Sequence, residues 1–508
     1  MAVASTWGFA LVGIEAVPVR VEAHARSGLP GVAIVGLPGA AVREARERVR
    51  SGAASCGLPL PPRRITINLS PGDVPKEGSG FDLPVALATL AACGYLPPDA
   101  VRDVGALGEV SLDGVVRPSR GMVSVAETAG AIGVRLLLTP IEGLPAASEV
   151  ATVPVAGVRS LAEAVMVIKD ARARERLLER GRRWLRCRPG DPRTVERETL
   201  DLGQVLGQHQ AKRALEIVAA GSHHLLMIGS PGVGKTMLAG RLPGILPGLT
   251  REEAIDVTRV WSTAGVQAAG TGLVKDRPFR APHHTASRAA LVGGGLLSRP
   301  GEVSLAHRGV LFLDEFPEFS RDALESLRQP LEEGRVVISR RTGTAVFPAA
   351  CTLVAAMNPC PCGFLGHPVR PCRCSTTAIE RYRSRVSGPL LDRVDALIEV
   401  PPLTLASLDD TSGLEPSAAV RARVAQAREF RLQRSTGKET ERACAPSREA
   451  QSLLREALVR DGLSGRGYAR VMDLARTIAD LDQAAQVSAE HLAEALSLRL
   501  DQRRLLFA

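Results

Sequence analysis

Gly229-Ser230-Pro231-Gly232-Val233-Gly234-Lys235-Thr236 has the glycine spacing and the closing Lys-Thr of a loop that cradles phosphates. Glycines let backbone N–H groups converge on phosphate oxygens, and the helix that follows adds partial positive charge at its N-terminus. In that role Lys235 reaches the β- and γ-phosphates, and the Thr236 hydroxyl ligates Mg²⁺. Lysine is scarce here, six of 64 basic residues, so a lysine at this position is hard to dismiss as incidental. Asp314 and Glu315 close a second apolar run that starts at Gly309. Asp314 is expected to hold Mg²⁺ through water, and Glu315 to polarise the attacking water. A third run, Thr352 to Met357, ends in Asn358, placed to hydrogen-bond the γ-phosphate or that water. Together these residues predict a chain that binds and hydrolyses ATP with Mg²⁺.

Such groups work only if strands deliver them to one edge of a sheet. Leu225-Leu226-Met227-Ile228 reads as a buried strand running into the phosphate loop, and a helix-compatible segment follows it. Three strands that each end in a polar residue describe an α/β core with its chemistry at the carboxyl edge.

At 508 residues, 45% of them hydrophobic, the chain has material for two to four domains. Residues 1–165 alternate short β-runs (Val17–Ala25, Val32–Val35, Ile65–Leu69, Val150–Val155) with helical segments at Ala40–Ala54 and Leu83–Cys93. Residues 166–198 form an arginine-dense linker, Arg172 through Arg193. It reads either as a solvated helix ending near Pro189 or as a nucleic-acid contact. The ATPase core spans 199–402 with a cysteine-rich insert at 358–376, and 403–508 reads as a small helical lid. A net charge of +10 favours contact with polyanions without requiring it. Nine cysteines, mostly single or in one cluster, fit a reducing compartment better than a disulfide framework. Leu83–Leu96 is too short for a membrane span and is broken by Pro84 and Gly94. The apolar patch Trp7–Ile14 lacks the basic start of a signal peptide. The expected location is cytoplasmic.

The chain resembles the Mg-chelatase-like AAA+ ATPases of the YifB/ComM family nearly end to end. The resemblance is carried by Gly28-Leu29-Pro30, Val35-Gly36-Leu37-Pro38, Arg63–Leu69, Lys76-Glu77-Gly78 and Phe81-Asp82-Leu83-Pro84. It continues through Arg280-Ala281-Pro282-His283-His284, Ser304–Arg308, Met357–Gly363 and Arg466-Gly467-Tyr468 with Arg470. It implies an AAA+ P-loop core with a C-terminal helical lid, preceded by an α/β Lon-protease-like domain of the ribosomal-protein fold. It also implies a homo-oligomeric ring, with a hexamer as the expected size and ATP sites between subunits. A neighbour's arginine then stabilises transition-state charge. By the resemblance Asn358 matches the first sensor. Arg393 stands where related rings place the arginine finger, and Arg466 stands at the second sensor, with Arg385 and Arg470 as competitors for these roles. Lon-type proteolysis needs a serine four residues after a lysine like Lys76, where this chain has Gly80. It also needs a second lysine near Val123, so a working Ser–Lys dyad is not expected.

Cys360-Pro361-Cys362 and Cys372-Arg373-Cys374 make a pair of CxC motifs, with His367 between them. Four thiolates can close a tetrahedral structural Zn²⁺ site and pin a Gly/Pro-rich loop; the alternative is free thiols. Val336 to Val346 reads as a hairpin with a basic tip. By the resemblance, Arg340 and Arg341 could grip a nucleic-acid backbone in a ring's pore. His283-His284 reads as structural, since nothing nearby supplies a third metal ligand. Aromatics make up only 3% of the chain, so DNA affinity would rest on backbone charge, with low sequence specificity. Three functions stay open: a motor moving branched or single-stranded DNA, a chelatase-type motor remodelling a protein partner, and an ATP-dependent protease. The missing dyad disfavours the last.

Overall fold

The computed structural model describes residues 3–187, 200–268, 270–295, 299–340, 343–402, 404, 414–436, 446–461 and 463–507. A seven-stranded mixed sheet builds the N-terminal unit. Its spatial order is Gly31–Val35, Arg64–Ser70, Glu15–Arg26, Ala4–Val12, Val104–Ala106, Leu136–Pro140, Val155–Val158. Side chains of Glu15–Arg26 are buried at nearly every second position, the pattern of a strand with one face on a core. The apolar patch at the N-terminus is the neighbouring strand, Ala4–Val12, antiparallel to it. Helix Asp82–Ala92 is buried along its whole length, which is why its sequence shows little amphipathic period. Pro84 stands in its first turn, where a missing N–H costs nothing.

One expected strand is corrected. Leu144–Val150 is a helix with proline at its start, and the strand begins only at Val155. Pro154 has no N–H to give a ladder, so pairing starts after it. The arginine-dense segment is a helix, Ala171–Cys187, that buries Ala173 and Leu177 against the N-terminal unit and leaves most of its arginines at the surface. Arg188 and Arg193 lie outside the described residues.

The second unit is a five-stranded, all-parallel sheet. Its order is Phe279–Arg280, Val310–Leu313, Thr352–Met357, Leu225–Ile228, Ala396–Glu399. The three central strands are buried at every position, as a sheet covered on both faces requires. Apolar clusters lie on both sides. One of them continues without a break into the C-terminal helices Ser417–Thr436, Arg448–Asp461, Gly465–Leu481 and Ala489–Phe507. The two units meet where Arg259 pairs with Glu15 and Glu127, at 2.8 and 3.3 Å. Arg259 stands on helix Arg251–Ala264, whose start is fixed by a reciprocal Thr250–Glu253 cap. Among the described residues no helix is long and apolar enough to cross a membrane.

Candidate ATP site

Parallel register decides what meets at the carboxyl edge of this sheet. Leu225–Ile228 pairs with Val354–Met357, so the residues after each strand emerge side by side. Gly229 follows one strand and Asn358 the other. Gly232 and Gly234 hold φ of 80° and 96°, a region glycine enters without penalty, and the chain turns there into helix Lys235–Ala239. A side chain at Gly229 would strike the Val400 carbonyl, so the loop's first turn admits only glycine.

Lys235 is 8% exposed and its ammonium has three acceptors: the carbonyls of Gly229 (2.6 Å) and Ser230 (3.0 Å), and Asn358 Oδ1 (3.1 Å). Burial lowers its pKa, while Asp314 opposes that shift. The Thr236 hydroxyl donates to Asp314 Oδ2 at 2.7 Å. Asp314 Oδ1 in turn accepts the Glu315 N–H at 2.9 Å. Thus Lys235 and Asn358, expected to meet the γ-phosphate, are in contact, as are the two residues expected to share Mg²⁺. An oxygen-only pair of hydroxyl and carboxylate suits that ion. The donor set therefore fits Mg-ATP: when bound, Mg²⁺ would draw charge from the phosphates, with Thr236 and Asp314 holding it.

Glu315 adopts φ of 51°, uncommon for a residue with a side chain. Its carboxylate meets His284 Nδ1 at 2.8 Å. His284 was expected to be merely structural. It lies in the loop after Phe279–Arg280, the strand beside Val310–Leu313, and so arrives at Glu315. The only signal for it was the Pro282-His283-His284 motif itself.

The four candidate arginines divide between the two ends of the sheet. Arg385 pairs with Glu318 at 2.5 Å, just past Glu315 and on the side of the phosphate loop. Arg393 precedes strand Ala396–Glu399, which runs parallel to Leu225–Ile228 and in register with it. It therefore lies at the opposite edge from its own phosphate loop, roughly 10 Å of strand away. There it pairs with Glu332 and donates to the Arg328 carbonyl at 3.1 Å. That ion pair holds the Glu332 carboxyl below its usual range, with Arg466 and Arg470 adding to the effect. Arg470 itself pairs with Asp395. Arg393, Arg466 and Arg470 thus gather on one side, remote from the phosphate loop of the same chain.

The cysteines expected to bind metal converge. The sulfurs of Cys360, Cys362, Cys372 and Cys374 all lie within 4.8 Å of one another. Backbone N–H groups of Arg373 and Phe364 hydrogen-bond Cys362 and push its thiol down, while the neighbouring thiols of Cys372 and Cys374 are pushed up. The expected hairpin is present as Arg335–Arg340 with Gly343–Pro348, closed by the Arg340–Gly343 pair. Arg341 lies outside the described residues. In the N-terminal unit Ser79, the serine beside the Gly80 position, hydrogen-bonds Glu109, and the buried Lys76 donates to the Pro71 carbonyl. Val123 is fully buried in a helix, and Gly80 packs on Leu107.

Three family models match the chain. One described as "Magnesium chelatase, subunit ChlI" matches residues 201–408. "Subunit ChlI of Mg-chelatase" matches 21–143, and "Magnesium chelatase, subunit ChlI C-terminal" matches 414–499. The chain is 41% identical over 507 residues to the uncharacterized protein YifB of Escherichia coli K12, covering 98% of this chain and 97% of YifB. It is 42% identical over 507 residues to the competence protein ComM of Haemophilus influenzae, covering 98% of each. A shorter stretch of 135 residues is 36% identical to the Lon protease of Chloroflexus aurantiacus, 25% of this chain and 16% of that one.

Proposed function

The chain belongs to the YifB/ComM family of Mg-chelatase-like AAA+ ATPases, and on that premise we propose that it is an ATP-driven ring motor acting on DNA. The observation that carries the ATP part is the paired contact at the sheet edge, Lys235 with Asn358 and Thr236 with Asp314. In this reading Lys235 and the loop N–H groups hold the β- and γ-phosphates. Asn358 senses the γ-phosphate, and Glu315, steadied by His284, takes the proton of the attacking water. A neighbouring subunit completes the site with Arg393, and Arg466 and Arg470 share its face. A ring explains why these arginines stand away from the phosphates of their own chain.

The DNA part rests on the likeness to a relative named a competence protein, on the +10 charge, and on the hairpin ending in Arg340. The motor would drive branch migration or strand separation on branched or single-stranded DNA during recombination. Hairpin tips with Arg340 and Arg341 would grip the phosphate backbone with little sequence preference. The basic helix Ala171–Cys187 offers a second charged face. A second reading, a chelatase-type motor remodelling a protein, is favoured by the family models' own description. DNA-stimulated ATP turnover separates the two. Stimulation by duplex, forked and single-stranded DNA that fades with added salt supports the motor on DNA. Turnover indifferent to all three supports a protein client.

The four cysteines are proposed to hold one structural Zn²⁺. Sulfur separations of 3.4 to 3.6 Å among Cys360, Cys362 and Cys372 approach the roughly 3.8 Å edge of a tetrahedron with bonds of about 2.3 Å. A disulfide would require about 2.05 Å.

A further inference from the structure

The cysteine cluster and the ATP site are joined by covalent chain on one side and by packing on the other. Asn358, the residue that reaches across to Lys235, is followed directly by Pro359 and Cys360. Cys360 is fully buried, and its sulfur lies 3.4 Å from Cys362 and 3.6 Å from Cys372. One residue past Cys362 the chain turns at Gly363, whose φ is 82°. That turn presses on the phosphate loop. A Cβ at Gly363 would fall 2.5 Å from Pro231 Cδ and 3.8 Å from Asn358 Cγ. Both ends of the Asn358–Gly363 segment therefore sit on phosphate-loop residues, and the sulfurs of Cys360 and Cys362 lie between them.

Hydrogen bonds also act on this segment: the Asn358 backbone meets the buried Tyr382 hydroxyl, and the Gly363 N–H donates to the Cys360 carbonyl at 2.9 Å. The rest of the insert runs through Gly366, Pro368 and Pro371, and its Val369 is 82% exposed, so apolar burial contributes little. A loop of this composition gains order when a metal cross-links it. We infer that the four-cysteine metal centre is a positioning device for ATP hydrolysis: metal held by Cys360, Cys362, Cys372 and Cys374 fixes Asn358 against Lys235 and Gly363 against Pro231. The inference rests on the zinc reading above and adds a role to it. Loss of the metal frees Asn358, so γ-phosphate sensing fails while the glycine loop still binds the diphosphate. The metal would act on turnover without touching nucleotide, much as outer groups tune the ligands they orient.

The test uses the full chain, purified under reducing conditions, with zinc content, ADP affinity and steady-state ATPase measured on each sample. Wild type is expected to carry one zinc per chain. Cys374→Ala should lose the zinc, keep its circular dichroism spectrum and bind ADP within about threefold, yet lose about a hundredfold or more in kcat, the scale of removing one transition-state hydrogen bond. Cys374→His, a ligand swap zinc accepts, should keep both metal and turnover. Asn358→Ala should lower kcat by a similar factor. Combining it with Cys374→Ala should cost no more than roughly twofold further, because two changes acting through one contact do not add. Should Cys374→Ala fail to fold, chelation of wild type and re-addition of zinc gives the same comparison. A folded, zinc-free protein with full kcat overturns the inference. So do losses that multiply in the double variant, or loss of ADP binding in step with turnover. Reduced wild type that contains no zinc overturns instead the metal reading beneath it, and the zinc assay alone reports that.

Discussion

His284 Nδ1 lies 2.8 Å from Glu315 Oε2, so the carboxylate expected to activate water is held by a side chain from the adjoining strand's loop. The pairing aims Glu315 while Asp314 faces Thr236. His284→Ala should therefore lower kcat by about ten- to a hundredfold and leave KM within about threefold, since the nucleotide contacts are untouched. Glu315→Gln should cost more, about a thousandfold, and leave ATP bound. Steady-state kinetics of both variants check this, and an unchanged kcat in His284→Ala contradicts it.

Arg393 stands at the edge of the sheet opposite its own phosphate loop. Arg393→Ala should bind nucleotide like wild type and lose turnover by about a thousandfold, the usual weight of an arginine finger. Mixed with Lys235→Ala protomers it should regain part of its activity, because each variant supplies what the other lacks. No recovery on mixing contradicts action between subunits.

Three histidines are neutral because they are buried: burial lowers His223 to about 3, and His224 and His307 to about 4. Arg431 and Arg470 reinforce His223, and Asp395 beside it is already engaged by Arg470. A histidine depressed in the folded state binds its proton mainly when unfolded. The associated stability is complete above pH 6.5 and is lost as pH falls from there towards 4, by about 1.4 kcal/mol per histidine per pH unit. Tm should drop steadily between pH 7 and pH 5. A flat profile over that range contradicts the assignment.

Arg48 holds the fully buried Asp82 with two hydrogen bonds, 2.7 and 2.9 Å. Removing the guanidinium leaves a buried carboxylate supported only by the Val110 N–H at 3.2 Å. Arg48→Ala should destabilise the N-terminal unit by about 3–5 kcal/mol, read by urea unfolding. A loss under about 1 kcal/mol would mean the pair matters no more than a surface bridge.

Most of the ATP site was legible in the sequence because each part of it is local. A glycine loop, a strand ending in Asp314-Glu315 and a strand ending in Asn358 announce themselves within eight residues. Parallel register then brings Asn358 beside Lys235 across 123 positions. His284 was not legible, since a histidine pair in a loop has no period and its partner is set by strand order. Nor was the division among the arginines, because proximity to the phosphates depends on which end of a strand each one precedes. Val150–Val155 misled for a simpler reason: its valines suit a strand, but Val150 closes a helix and pairing starts only past Pro154.

The most direct test of the central claim is movement of a labelled four-way DNA junction by the full chain with Mg-ATP. Junctions should resolve with wild type and ATP, and should persist with Lys235→Ala or when ATP is omitted. Arg340→Ala with Arg341→Ala should slow resolution more than it slows ATP turnover. ATP hydrolysis at full rate with junctions left intact, and no stimulation by any DNA, would contradict the account and turn the search to a protein client.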